Sequence, residues 1–266
     1  MSFPNRQDNT VILAYHHICN FWHPTIARVS PKSFKTQIKY LQQAEFSVPT
    51  LSEYFNRSFD NLHKKSVLLT FDDGLRCFYK NAYEILLERK MRATIFVVTN
   101  FIDRRGSWDY YDSSGKCRHL NWSELKELCN QGFEIGSHSC SHIDLKPSPS
   151  KKIVNELEVS KKTLEDRLGV AVNFFSYPFG RLNKKIEELC LQVGYTGAVT
   201  MNPGVVNGNL FGLNRKAVYL FESDRQFHFK LNQASSMTEK IKLKAINTFS
   251  MGTIILNNLK NPVKST

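Results

Sequence analysis

The sequence predicts an α/β fold in which a mostly parallel sheet is covered by helices. Three observations point to it. Short apolar runs rich in branched and aromatic residues recur along the first 220 residues. Stretches with helical spacing separate them, and capping or turn residues stand at the junctions. The first run, VILAY at 11–15, reads as a strand. Ser30-Pro31 then opens a helix, a capping residue followed by a proline suited to the first turn, with Phe34, Ile38 and Leu41 on a shared face. Strand-like runs follow at 67–71 and 93–98. The segment 103–120, rich in Gly, Ser, Asp and Tyr, reads as a long rim loop, with Trp108, Tyr110 and Tyr111 as a lid or an anchor.

A helix beginning at Trp122 ends near Gly132, ahead of a short strand at 133–135. Ser150 reads as the cap of the next helix, whose Ile153, Leu157, Leu164 and Leu168 recur at helical spacing until Gly169 stops it. A strand at 172–177 leads to a helix opened by Asn183 and closed by Gly194; strands at 195–199 and 217–220 follow. Beyond about Arg225 the pattern loses its period. With no repeat and no linker, the expectation is one domain over 1–266 with a motif-bearing core at 11–220. Periodicity leaves open whether the sheet closes into a barrel.

Composition narrows the function classes. A hydrophobic fraction of 41% supports a sizeable core, and no apolar stretch is long enough for a membrane span. The opening MSFPNRQDNT lacks a signal-peptide layout, so a cytoplasmic protein is expected. The six cysteines are scattered without a C-x-x-C pair, which argues for reduced thiols over a disulfide or zinc-ribbon framework. The net charge of +12 suits phosphate-bearing partners or peripheral contact with an anionic membrane. Its lysines are spread along helix surfaces, however, and no nucleic-acid module is present.

The chemistry concentrates in two places. VLLTFDDG ends an apolar strand in two adjacent carboxylates, Asp72 and Asp73, and in parallel α/β folds function gathers at strand carboxyl ends. EIGSHSCSH sets His138 and His142 four apart after another short strand. Successive strand residues point to opposite sides, so two neighbouring aspartates are unsuited to one identical task. One carboxylate with two imidazoles and a vacant position makes a catalytic metal site, and the other carboxylate can serve as a base. Cys140, between the histidines, fits a packing role better than ligation. VILAYHHI places Tyr15, His16 and His17 at another strand end.

TFDDG at 70–74 and HSCSH at 138–142 resemble the first two motifs of the polysaccharide deacetylase family, the NodB homology domain or carbohydrate esterase family 4. SYPFG at 176–180 is similar to its third motif, and the likeness extends to RKMRATIFVV and NWSELKELCNQGFEIGSH. The resemblance implies a distorted, incomplete (β/α) barrel and one divalent ion, zinc first, with cobalt, nickel, manganese or iron as alternatives. It assigns Asp72 as general base, Asp73, His138 and His142 as metal ligands, and the Phe179 N–H to the oxyanion. Two departures stand out. The arginine that opens the family's third motif is replaced by Ser176, for which Arg215 is a candidate substitute or a substrate-phosphate ligand. The family's last histidine motif has only IILNN with Asn257 as its counterpart. Some members resemble a circular permutation in which that motif leads the chain, which gives the general-acid role to His16, or else His17. Tyr177 and Trp122 are candidate groove residues for a sugar. The implied activity is removal of an N-acyl group, acetyl first, from an amino sugar in a saccharide, phosphate- or lipid-linked in one version. A silent saccharide-binding or protein-binding member, a deformylase and an esterase are the alternatives.

Overall fold

Val11–Tyr15 (β1) and Val67–Phe71 (β4) are apolar or aromatic apart from Thr70, whose hydroxyl donates to the Leu13 carbonyl, so both strands are buried throughout and pair with each other in parallel. A computed structural model of the chain describes residues 10–20, 25–56, 65–104, 118–206 and 208–232. Between β1 and β4 lie a small parallel ribbon, β2 (His17–Ile18) with β3 (Arg28–Val29), and the helices α1 (Pro31–Gln43) and α2 (Leu51–Phe55). After β4 come α3 (Arg76–Phe78), a π-helical turn at Tyr79–Tyr83 and α4 (Glu84–Leu87). Then β5 (Thr94–Val97), α5 (Trp122–Asn130), β6 (Glu134–Ser137), α6 (Ser150–Leu168) and β7 (Phe174–Ser176) alternate. The chain continues through α7 (Lys184–Val193), β8 (Gly197–Val199), β9 (Lys216–Ala217) and α8 (Asp224–Asn232).

The main sheet has the order β8-β7-β6-β5-β4-β1-β9, and every pairing in it is parallel. It curls into an incomplete barrel. Its two edges approach through one segment: Leu213 bridges Val199 of β8, and three residues later Lys216 pairs with Leu13 of β1. The barrel interior is packed by Ile12, Leu68, Phe96, Phe174, Val199 and Leu213, while Leu13, Leu69, Ile95 and Phe175 face the helices. This alternation matters for the site. Counting by twos from the interior residues reaches His16 from Ile12, Asp72 from Leu68 and Ser176 from Phe174, all at the carboxyl ends of their strands.

The helices start much as the sequence suggests. Ser30 caps α1 by accepting the Ser33 N–H, Asn183 accepts the Ile186 N–H, and Gly169 and Gly194 end α6 and α7 in the left-handed region at φ 70 and 93. Several boundaries differ, and the strands expected at 172–177 and 195–199 shorten to Phe174–Ser176 and Gly197–Val199. Ser150 is the first residue of α6 and Pro149 its uncapped N-cap position. The strand expected at 217–220 is reduced to Lys216–Ala217, because the chain turns away after the Val218 N–H reaches the Ala14 carbonyl (3.0 Å). The unperiodic C-terminal part contains α8, anchored by buried Phe227 and Leu231 and by the Lys230–Glu222 ion pair (2.6 Å). Among the described residues no helix is long and apolar enough to cross a membrane.

Candidate active site

The aspartate doublet divides its labour by backbone geometry. Asp72 continues the β4 ladder, its N–H donating to the Tyr15 carbonyl (2.9 Å), so its side chain stays on the interior face. Asp73 adopts a left-handed φ of 74, which breaks the strand's alternation and gives its carboxylate a different set of neighbours from that of Asp72. Its Oδ1 lies 3.5 Å from His138 Nε2 and 3.8 Å from His142 Nε2. Asp73, His138 and His142 each offer a ligand atom, all within 4.8 Å of one another, and can hold one cation.

The donor set fits a divalent ion. His138 directs Nδ1 at the Ser176 carbonyl (2.7 Å), which fixes the tautomer that leaves an Nε2 lone pair facing Asp73. Burial pushes the His138 pKa down, and burial together with His138 pushes His142 well below the usual imidazole value. Both rings are therefore neutral near pH 7, as ligands must be. The His142 ring also stands edge-on against His138 (4.8 Å between centroids) and Phe179 (4.7 Å). Non-glycine residues with positive φ gather here: Asp73, Ser139, His142 and Phe179. Such backbone persists only where surrounding contacts over-determine it.

Asp72 is held differently. Arg215, fully buried, grips it as a fork, Nη1 to Oδ1 at 2.8 Å and Nη2 to Oδ2 at 2.7 Å. The Ser176 hydroxyl adds a donor to Oδ2 (3.3 Å). Burial alone would raise the Asp72 pKa, but the Arg215 guanidinium, by its charge and its hydrogen bonds, overrides it and holds the carboxyl well below its ordinary range. Arg215 is itself locked: Nε donates to the Thr200 carbonyl (2.8 Å), Nη1 to Thr70 Oγ1 (3.0 Å) and Nη2 to Ser176 Oγ (2.9 Å). His16 Nε2 lies 3.9 Å from Asp72 Oδ2. Its Nδ1 has no hydrogen-bond partner among the described residues, and burial pushes its pKa down to about 4 despite the nearby carboxylate.

A model of the family described as "Polysaccharide deacetylase" matches residues 59–198, over half of the chain. The chain belongs to the polysaccharide deacetylase family. It is similar to YxkH of Bacillus subtilis (strain 168), 29% identical over 78% of this chain and 70% of that protein. It is also 28% identical to the poly-beta-1,6-N-acetyl-D-glucosamine N-deacetylase of Staphylococcus aureus (strain MSSA476) over 65% of this chain. It spans 63% of the staphylococcal enzyme's length. Among solved structures, the Streptococcus pyogenes deacetylase PplD in complex with acetate superposes with a TM-score of 0.74 at 25% identity, covering 84% of this chain and 97% of PplD. BC0361, a polysaccharide deacetylase from Bacillus cereus, gives 0.72 at 26% identity, with coverage of 84% and 68%.

Within this member of the family, the structure brings Asp72, Asp73, His138, His142, His16 and Arg215 together at one end of the barrel. It separates the two N-terminal histidines: His16 faces Asp72, whereas His17 is buried in β2 beside Arg28. Arg215 is not a substrate-phosphate ligand, because its guanidinium is 0% exposed and engaged on every nitrogen. Tyr177 is not a groove residue either. It follows the inward Ser176, points among the helices at 0% exposure, and donates its hydroxyl to the Phe211 carbonyl (2.9 Å). Trp122 opens α5 with its ring under the Arg167 guanidinium (4.9 Å), where it anchors the helix start against the core.

Sequence reasoning missed three contributors: Thr70 and Ser176, which hold Arg215, and His119, whose Nδ1 meets the Asp73 carbonyl (2.9 Å). Polar residues at strand ends were the available signal for the first two; His119 had none. Asn257, Trp108, Tyr110, Tyr111, His23, His63 and Cys117 lie outside the described residues.

Proposed function

We propose that this protein is a metal-dependent N-deacetylase that removes an acetyl group from an amino sugar in a glycan or glycan precursor. The observation that carries the reading is the pairing of a three-ligand cluster, Asp73, His138 and His142, with an adjacent buried carboxylate held ionised by Arg215. Asp73, His138 and His142 would hold a divalent cation, which would supply a water of lowered pKa and Lewis-acid polarisation of the amide carbonyl. Zinc suits the mixed nitrogen and oxygen donors, as do cobalt, nickel, manganese and iron. Asp72 takes the proton of the attacking water. The Phe179 N–H, in the turn after β7, donates to the oxyanion. His16 is neutral in the free protein, and as negative charge develops in the pocket the proton that Asp72 took from the water passes to its Nε2, which lies 3.9 Å from Asp72 Oδ2. It then hands that proton to the amine nitrogen as the C–N bond breaks, releasing acetate and the free amino sugar.

The substrate class is supported by the staphylococcal relative named for an N-acetylglucosamine polymer and by the acetate complex of PplD. The net charge of +12 suits a phosphate- or lipid-linked saccharide at an anionic surface. The thiols of Cys129, Cys140 and Cys190 are compatible with work in the reducing cytoplasm. The absence of an arginine at position 176 would favour a silent binder, but Arg215 supplies a guanidinium to Asp72 from the 213–217 segment, which favours the enzyme.

The test is acetate release from an oligomer of β-1,6-linked N-acetylglucosamine and from a phosphate-linked N-acetyl sugar. Chelation should abolish release and added zinc restore it. Full turnover after exhaustive chelation, or none with any of the five cations, overturns the proposal. The general-acid step has its own signature. His16→Asn should lower kcat on the amide by about 10²–10⁴-fold, yet leave an activated aryl acetate, whose leaving group needs no proton, close to wild type. Equal losses on both substrates would remove His16 from that role.

A further inference from the structure

A second buried carboxylate stands behind the ligand loop. Glu156, in the middle of α6, is 5% exposed, and none of the assigned chemical steps uses it. Its Oε2 accepts the N–H groups of Cys140 (2.9 Å) and Ser141 (3.0 Å), and its Oε1 accepts the Ser141 hydroxyl. These two amides lie at the centre of the loop that carries His138 and His142. On either side of them Ser139 and His142 occupy the left-handed region, at φ 69 and 55. A non-glycine chain does not hold that shape unaided.

One turn further along α6, the Ser160 hydroxyl meets Ser137 Oγ (2.7 Å) at the loop's start and also donates to the Glu156 carbonyl (2.6 Å). Within the loop, Ser137 Oγ accepts the Ser139 N–H (3.2 Å) and Ser139 Oγ accepts the His142 N–H (3.0 Å). From outside, the Thr99 and Asn100 N–H groups donate to the Ser139 and Cys140 carbonyls (3.2 and 3.0 Å). Of the loop's amides, those of Cys140 and Ser141 thus depend on one side chain of α6.

We propose that Glu156 is a positioning residue for the cation site: its carboxylate fixes the separation of the two imidazoles and adds negative charge behind the ligand loop. The inference rests on the metal-dependent reading above. A side chain that orients ligands in this way typically changes metal affinity by about 10–100-fold when removed. Glu156→Ala leaves two buried amides without acceptors and frees the loop. Glu156→Gln keeps an acceptor and the shape but loses the charge.

The experiment measures zinc affinity of the full chain by competition with a chromogenic chelator, for wild type, Glu156→Gln and Glu156→Ala. Melting of the zinc-free and zinc-saturated forms is measured in parallel. The expected result is a Kd weakened by about 10–100-fold in Glu156→Ala and by a smaller factor in Glu156→Gln. Zinc should also raise Tm less in both variants than in wild type. If wild type binds no zinc at one equivalent, the underlying metal reading fails. If wild type binds and both variants bind equally tightly, only the role of Glu156 is overturned, whatever happens to their zinc-free stability. Should Glu156→Ala fail to fold, Glu156→Gln decides alone: a weakened Kd supports the proposal and an unchanged one overturns it.

Discussion

Asp72→Asn is expected to keep bound zinc at one equivalent while kcat for acetyl release falls by about 10²–10⁴-fold, the range for losing a positioned base. The separation of effects follows from the doublet's geometry. The cation cluster uses Asp73, and none of its ligand atoms belongs to Asp72. The variant also leaves Arg215 without its carboxylate. An asparagine oxygen can accept from only part of the fork, so a loss of roughly 3–5 kcal/mol in stability accompanies the change. Activity is therefore to be compared below the variant's own melting range, with metal content measured on the same sample. Zinc loss together with activity loss would make Asp72 a ligand. Wild-type turnover with zinc bound would remove it from the proton transfer.

The parts of this site that were legible in the sequence are those whose chemistry is local. A carboxylate pair at a strand end and two histidines four apart keep their meaning without knowledge of the fold, because strand alternation and loop length bring the side chains together. Alternation carried more information than spacing alone revealed. Ser176 faces inward at the third motif, which by the two-residue period turns Tyr177 outward to the helices, away from any groove. In the same way Glu156 lies on the α6 face defined by Ile153, Leu157 and Leu164, a polar residue on an apolar stripe.

Arg215 was harder to place. It is 143 positions from Asp72, and its role exists only because the 213–217 segment joins the two edges of the sheet. Periodicity identifies strands but says little about closure; the resemblance to a known family implied the incomplete barrel. α2 and the β2–β3 ribbon escaped notice because elements of five and two residues carry too few positions to show a period.

Arg215→Met should cost about 3–5 kcal/mol of stability near neutral pH, because it strands a carboxylate that is 3% exposed. The loss should depend on pH, and its sign is fixed. In the wild type the Asp72 pKa lies well below its unfolded value, so its contribution is fully present above about pH 4 and fades as the pH falls further. Without the guanidinium, burial dominates and the Asp72 pKa rises. The gap between wild type and variant in urea unfolding should then be widest at pH 7–8 and shrink as the pH falls through the variant's raised Asp72 pKa, where the variant takes up a proton and the wild type does not. The acid limb of kcat/KM should move to higher pH in the variant, since the base must lose a proton that the wild-type carboxylate does not hold. Arg215→Lys should recover part of the stability through its charge. It cannot rebuild the fork together with the Thr70, Ser176 and Thr200 contacts, so the acid limb should fall between the two. A destabilisation independent of pH, with an unmoved acid limb, would reduce Arg215 to a buried space-filler and leave the ionisation of Asp72 without an explanation.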